Sequence, residues 1–138
     1  MNVLVDTSVW SLALRKNSDL DNNIIKELNE LIHELRVVII GPIRQELLSG
    51  IPDLNKYNLL KDKLRSLEDT PIETEHYELA AYLFNQCRKN GIQGSHIDFI
   101  ICAVSIKNNL SIFTLDNDFE KFKKYIDIKL YNLRSNLL

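Results

Sequence analysis

The sequence predicts an α/β domain built on a mainly parallel sheet. Short apolar runs recur at Val3-Leu4-Val5, Val37-Val38-Ile39-Ile40 and Ile112-Phe113, and helical stretches with apolar stripes separate them. Each run ends at a capping or breaking residue: Asp6, Gly41-Pro42 and Asp116. A strand that is apolar on both faces is what a helix-covered parallel sheet requires, and its crossovers are right-handed. The 138 residues suit one domain, and a 45% hydrophobic share supplies its core.

Val3-Leu4-Val5 reads as the first strand, and Asp6-Thr7-Ser8 ends it and caps a short helix beginning near Val9-Trp10. Ser18 and Asp21 have capping-box spacing for a second helix, along which Ile24, Leu28, Leu31 and Leu35 recur at helical intervals. Val37 to Ile40 is the second strand. Gly41-Pro42 breaks it, and Pro42 suits the first turn of a helix.

From Ile43 to Asn90 the pattern is helical almost throughout. Gly50-Ile51-Pro52 divides it ahead of the stripe Tyr57, Leu60, Leu64 and Leu67, and Thr70-Pro71 divides it again. Thr74 is placed to cap the helix carrying Ala80, Leu83, Phe84 and Cys87, and Asn90-Gly91 stops it. This block is longer than one crossover needs, so an appended helical arm beside the sheet is expected. Ser95 and Asp98 repeat the capping-box spacing at the head of an apolar helix from Ile97 to Lys107. Ile112-Phe113 forms the third strand, and Asp116-Asn117 leads into a helix with Phe119 and Phe122. Ile126 to Tyr131 alternates as a last strand, and residues 132–138 read as a tail.

The apolar runs are too short to span a bilayer, and Met1 leads straight into the first strand without a basic or long apolar segment. A cytoplasmic protein with no membrane association is the expectation. Cys87 and Cys102 form no Cys-x-x-Cys pair, so reduced core thiols are expected rather than zinc or a disulfide. The net charge of -2 argues against a generally basic nucleic-acid surface. Arg15-Lys16, Lys61 with Lys63 and Arg65, and Lys121 with Lys123-Lys124 are small basic clusters that leave room for local phosphate contacts.

Four acids carry the chemical reading. Ligands of open parallel sheets bind outside the carboxyl ends of the strands. Asp6 and Asp116 follow the first and third strands, and Glu46 lies on the opening turns of the helix entered from the second. Asp98 begins the helix that feeds the third strand, and connectivity brings it to the same edge. Each acid also has a local explanation. Asp6 and Asp116 suit helix caps, with Asn117 and Glu120 as a rival capping box, and Asp98 suits the third position of the Ser95 box. Glu46 next to Arg44 and Gln45 suits a solvated face.

Asp98 is the most informative, because Ile97, Phe99, Ile100 and Ile101 surround it in sequence. An ionised carboxylate buried there costs several kcal/mol unless it is compensated. Oxygen ligands without His or Cys suit Mg²⁺ or Mn²⁺. Two such ions about 4 Å apart hydrolyse a phosphodiester without a nucleophilic side chain. Ser8 and Thr114 are hydroxyls placed to orient the carboxylates. His96 is a minor candidate for a phosphate or metal-water contact, whereas His33 and His76 read as structural.

Asp6-Thr7-Ser8-Val9-Trp10, Glu46-Leu47-Leu48-Ser49-Gly50, Asp98-Phe99-Ile100-Ile101-Cys102-Ala103 and Thr114-Leu115-Asp116-Asn117-Asp118-Phe119 resemble the motifs of PIN-domain nucleases. In order, spacing and length they most resemble the VapC toxins of type II toxin–antitoxin pairs. The resemblance implies a three-layer α/β/α PIN-like fold over residues 1–138 and an Mg²⁺- or Mn²⁺-dependent endoribonuclease cutting tRNA or rRNA. It implies Asp6, Glu46, Asp98 and Asp116 as the metal-binding catalytic acids, with Asp118 as an additional acid. It also implies a homodimer held inactive by a VapB-type antitoxin over the acidic cleft.

Two other readings compete with this one. A haloacid-dehalogenase-like phosphatase wants a second Asp two residues after the first, where this chain has Ser8. A non-catalytic PIN-like module binding RNA or a partner has no physical reason to keep an unneutralised Asp98 in an apolar helix.

Overall fold

The computed structural model describes residues 1–15 and 22–134. Four strands, β1 (Val3–Val5), β2 (Val37–Val38), β3 (Ser111–Phe113) and β4 (Lys129–Leu130), form one parallel sheet in the order β2-β1-β3-β4. Val3 of the central strand pairs with Val37 on one side and Ser111 on the other. Seven helices among the described residues flank the sheet: α1 (Thr7–Arg15), α2 (Asn23–His33), α3 (Gly41–Leu48), α4 (Leu54–Leu64), α5 (Thr74–Lys89), α6 (His96–Lys107) and α7 (Asp118–Lys123). The result is the expected three-layer α/β fold. No helix among the described residues is long and apolar enough to cross a membrane.

All three residues of β1 are fully buried, as a strand covered on both faces must be. α6 presses Phe99, Ile101, Cys102, Ala103 and Val104 into the same core. Cys87 and Cys102 are buried free thiols, and burial pushes both above the ordinary thiol range. Before α6 the chain passes so close to the core that a Cβ on Gly94 would stand 2.5 Å from Phe122 Cζ.

The elements differ from the sequence reading where local partners compete. α1 begins at Thr7, two residues earlier than expected, because the Asp6 carbonyl already accepts from the Val9 and Trp10 amides. Ser18 and Asp21 lie outside the described residues, and Asn22 caps α2 through its side-chain oxygen, 2.8 Å from the Ile24 amide. Leu35 does not continue the α2 stripe. It adopts φ 58° and is 88% exposed, while the Arg36 amide reaches back to the Leu31 carbonyl at 3.0 Å. That is the six-to-one bond of a Schellman end, with a leucine where glycine is usual.

β2 is shorter than the run Val37 to Ile40 because Ile39 bridges to Asp69 instead. Glu73, not Thr74, is the N-cap of α5. The buried His76 takes the third position of that box: its Nδ1 accepts from the Glu73 amide at 2.9 Å, and its Nε2 lies 2.9 Å from Asn108 Oδ1. An Nδ1 that accepts leaves the proton on Nε2, so both ring nitrogens are satisfied.

The expected helical arm is joined to the main core, where Leu60 and Leu64 of α4 are buried. Arg44 fastens it, donating to the Leu64 carbonyl at 2.9 Å and to Asp69 Oδ1 at 2.9 Å. The expected tail is docked as far as Arg134, with Leu133 packed on the core and Arg134 against α2.

Candidate active site

Val5 and Phe113 pair at the carboxyl ends of β1 and β3, so Asp6 and Thr114 leave the sheet side by side. Asp6 is buried, with 7% of its surface exposed. Its carbonyl serves the first turn of α1, but its carboxylate does not cap the helix. Asp6 Oδ2 instead accepts from Ser8 Oγ and from Thr114 Oγ1, each at 2.8 Å. The two hydroxyls accept in turn from backbone: Ser8 Oγ from the Leu115 amide and Thr114 Oγ1 from the Asp116 amide, each at 3.0 Å. Each hydroxyl therefore has its proton committed to the carboxylate and a lone pair committed to the β3–α7 loop. This fixes the Asp6 rotamer and ties Asp116 to it through the backbone.

Asp116 Oδ1 accepts from the Asp118 amide at 2.9 Å, so Asp116, rather than Asn117, closes the turn into α7. The rival Asn117–Glu120 capping box does not form, because Asn117 makes no side-chain cap bond. Asp98 does occupy the capping box. Its Oδ2 accepts from the Ser95 amide at 3.0 Å and its own amide donates to Ser95 Oγ at 3.1 Å. That local role does not neutralise it. Burial pushes the Asp98 carboxyl above the ordinary aspartate range, the Ser95 bonds offset part of this, and the charges of Asp116 and Asp6 push it further up. Cys102, one turn along α6, is raised by burial and then by the charges of Asp98 and Asp6. Both residues of α6 thus feel the charge of Asp6, as the last of several causes.

Glu46 reaches the same edge by another route. Its Oε1 accepts from Thr7 Oγ1 at 2.8 Å, which links α3 to the residue after Asp6. Sequence reasoning missed Thr7, whose one available signal was a third hydroxyl-bearing position beside Asp6 and Ser8. Asp118 stands apart on the exposed first turn of α7, 3.5 Å from Lys121 Nζ. His96 also stands apart, exposed and stacked on Phe84 with ring centroids 5.2 Å apart.

No salt bridge among the described residues reaches Asp6, Glu46, Asp98 or Asp116. Nor do three His, Cys, Asp or Glu side chains among them converge closely enough to hold one ion together. Hydrogen bonds tie Asp6 to the loop that carries Asp116, and Glu46 to Thr7, but a closed shell of protein ligands is not formed among the described residues. One oxygen of each acid accepts from a neighbouring hydroxyl or amide, and among the described residues the other is left for a ligand. The donor set still fits Mg²⁺ or a similar hard ion, which is ordinarily held by one or two carboxylates, waters and substrate phosphate rather than by an all-protein cage.

A parallel α/β domain with an acidic, hydroxyl-braced edge at its strand ends is thereby defined. Residues 3–125 match the family model for the PIN domain, and the chain belongs to that family. PIN domains are generally nucleases. No curated protein matches the sequence. Among solved structures, FitAcB from Neisseria gonorrhoeae is similar at 21% identity and TM-score 0.75, over 94% of this chain and 96% of that one. VapBC2 from Rickettsia felis, bound to a DNA fragment from their promoter, is similar at 20% identity and TM-score 0.78, over 96% and 98%. VapBC-1 from nontypeable Haemophilus influenzae is similar at 13% identity and TM-score 0.76, over 96% and 98%. At such identities the likeness establishes the fold.

Proposed function

We propose that this protein is a metal-dependent endoribonuclease that cuts tRNA or rRNA, with Asp6, Glu46, Asp98 and Asp116 as its catalytic acids. The observation that carries the reading is the position of Asp98, whose carboxyl is raised by burial and then by the charges of Asp116 and Asp6, with no salt-bridged partner among the described residues. Such an arrangement is unfavourable on its own and becomes favourable when a cation joins it. Mg²⁺ or Mn²⁺ bound there would supply an activated water and a Lewis acid for the phosphodiester. Asp6, Asp98 and Asp116 are the candidates to hold it, together with Glu46, which is supported by Thr7. Ser8 and Thr114 are positioning residues that keep Asp6 Oδ2 aimed. Asp118 is a weaker member of the set, since Lys121 already engages it.

The resemblance to VapC toxins, with VapBC assemblies among the similar structures, supports a toxin that works as a homodimer and is restrained by a VapB-type antitoxin. The test is cleavage of labelled RNA in Mg²⁺ or Mn²⁺ and again in excess EDTA. Fragments are expected only with the metal. Cleavage that persists in EDTA would remove metal dependence from the reading, and no cleavage with either metal would leave a binding module.

Thr114→Val tests the bracing of Asp6 separately. It removes one of the two hydroxyl bonds to Oδ2 without changing the volume much. Cleavage is expected to fall about 10- to 100-fold, the usual effect of losing an outer partner of a metal-site ligand. The thermal midpoint should change little by comparison. An unchanged initial rate would show that the brace is only structural.

A further inference from the structure

We propose that the cavity between the ends of β3 and β4 is a base pocket, which takes a guanine of single-stranded RNA next to the bond being cut. This rests on the nuclease reading above and deepens it by naming what the site recognises. The cavity has a volume of about 250 Å³ and shares Thr114 and Asp116 with the candidate site, so its occupant lies against the reacting edge. That is below the roughly 300–1,000 Å³ of pockets for drug-sized ligands, and it suits one planar base rather than a stacked pair.

The polar lining is unspent. Asn117 stands at the N-cap of α7 yet makes no cap bond there, because Asp116 has taken the Asp118 amide. Among the described residues no hydrogen bond reaches the side chains of Asn117, Glu120 or Asn132, and all three line the cavity. The sequence pattern that suggested a capping box thus becomes, in the fold, two polar side chains facing a cavity. Leu130 gives an apolar wall, and Leu115, 42% exposed, forms a lip. Tyr131 is held in place by Phe113, with ring centroids 5.3 Å apart, and by its hydroxyl bond to Glu27. A wall fixed before binding lowers the cost of ordering it.

The hydrogen-bonding inventory selects the base. Unstacked RNA bases are read on their Watson–Crick edges. Glu120 as a carboxylate only accepts, and two parallel donors to one carboxylate make a strong, charge-assisted pair. Guanine presents such a pair, N1–H and N2–H₂, side by side. Its O6 is left for an amide donor from Asn117 or Asn132. Uracil offers a single N3–H between two carbonyls, which sets an acceptor against the carboxylate.

The test measures binding, so that it does not depend on cleavage. Full-length Asp98→Asn protein is titrated with fluorescent single-stranded oligonucleotides that differ only in one guanine or uracil. The guanine oligonucleotide is expected to bind about tenfold more tightly, within the range for a bidentate base contact. Glu120→Gln, which swaps one acceptor for a donor, should collapse that ratio to about twofold or less, and Asn117→Ala should reduce it. A ratio near one, or a preference that both variants retain, would overturn the pocket. Free guanosine monophosphate should compete only at about a hundredfold higher concentration, because it lacks the contacts of the neighbouring nucleotides. Equal competition would overturn the assignment to RNA. Wild-type protein that cuts no RNA would overturn the nuclease reading and leave these ratios to judge the pocket alone.

Discussion

Asp98→Asn is expected to lower RNA cleavage by at least about 100-fold and to leave the fold intact. That figure is the upper end of the roughly 10- to 100-fold effect of losing an outer partner of a metal-site ligand, and Asp98 is proposed as a ligand itself. Asn keeps the capping box, since its side-chain oxygen can still accept from the Ser95 amide. What it cannot supply is the negative charge. The same charge makes the wild type vulnerable in the metal-free state.

The Asp98 carboxyl is raised by burial and by Asp116 and Asp6, after allowing for the Ser95 bonds. Between the ordinary aspartate value and this raised one, the folded state binds the more protons. Stability therefore falls as pH rises through that window and stays lower above it. Metal-free Asp98→Asn should lack this downward slope and be at least as stable as wild type at pH 7. Mg²⁺ should raise the thermal midpoint of the wild type more than that of the variant. The measurements are initial cleavage rates and melting curves with and without metal. Equal rates would end the catalytic assignment of Asp98, whereas a collapsed fold would show that the capping box needs the charge.

The sheet was legible because Val3-Leu4-Val5 and Ile112-Phe113 have no reason to be apolar on both sides except burial between layers. The ends of β2 were not legible, because Asp69, thirty residues further on, competes for Ile39. The cap of α5 was misplaced for a similar reason. Thr74 is a better cap by type, but the buried His76 is in reach of the Glu73 amide and is hydrogen-bonded to Asn108. In the candidate site, strand-end position was enough to single out Asp6, Thr114 and Asp116, which the structure links by hydrogen bonds. Glu46, placed on the opening turns of the helix after the second strand, rests most on the family motif, and its tie to Thr7 crosses 39 positions that no local pattern links. Sequence spacing placed the acids on one edge but carried no information about their separations. Those depend on which hydroxyl or amide each oxygen meets, and so the open arrangement of the carboxylates could only come from the structure.

Glu27→Ala is expected to destabilise the protein by about 3 kcal/mol at pH 7, through a clamp that no local sequence pattern suggests. Glu27 lies on the buried face of α2 beside Leu28 and is only 3% exposed. It accepts from the Tyr131 hydroxyl, from the Arg134 amide at 3.3 Å and from Arg134 Nε at 3.0 Å. Arg134 also donates to Glu34 at 2.8 Å, which fastens the end of the described chain to α2. Burial by itself would raise the Glu27 carboxyl, but the bonds from Tyr131 and Arg134 outweigh it and hold the carboxyl below its ordinary range. Tyr131 responds in the opposite direction, pushed up to about 12 by burial and by its bond to Glu27.

A lowered carboxyl contributes stability above the ordinary glutamate value, and the contribution is lost as pH falls through the folded value. Hydrogen bonds to a charged group contribute roughly 1.5–3 kcal/mol each, and truncation also leaves the Tyr131 hydroxyl without its partner. Urea unfolding at pH 7 and pH 3 separates these effects. The gap between wild type and Glu27→Ala should be wide at pH 7 and should narrow in acid as the wild-type carboxyl is protonated. Equal midpoints at pH 7 would mean that the clamp adds nothing to stability. The clamp also bears on the site, because Tyr131 walls the cavity beside Asp116. Glu27→Ala should therefore weaken the guanine preference as well as the fold, even at temperatures where the variant remains fully folded.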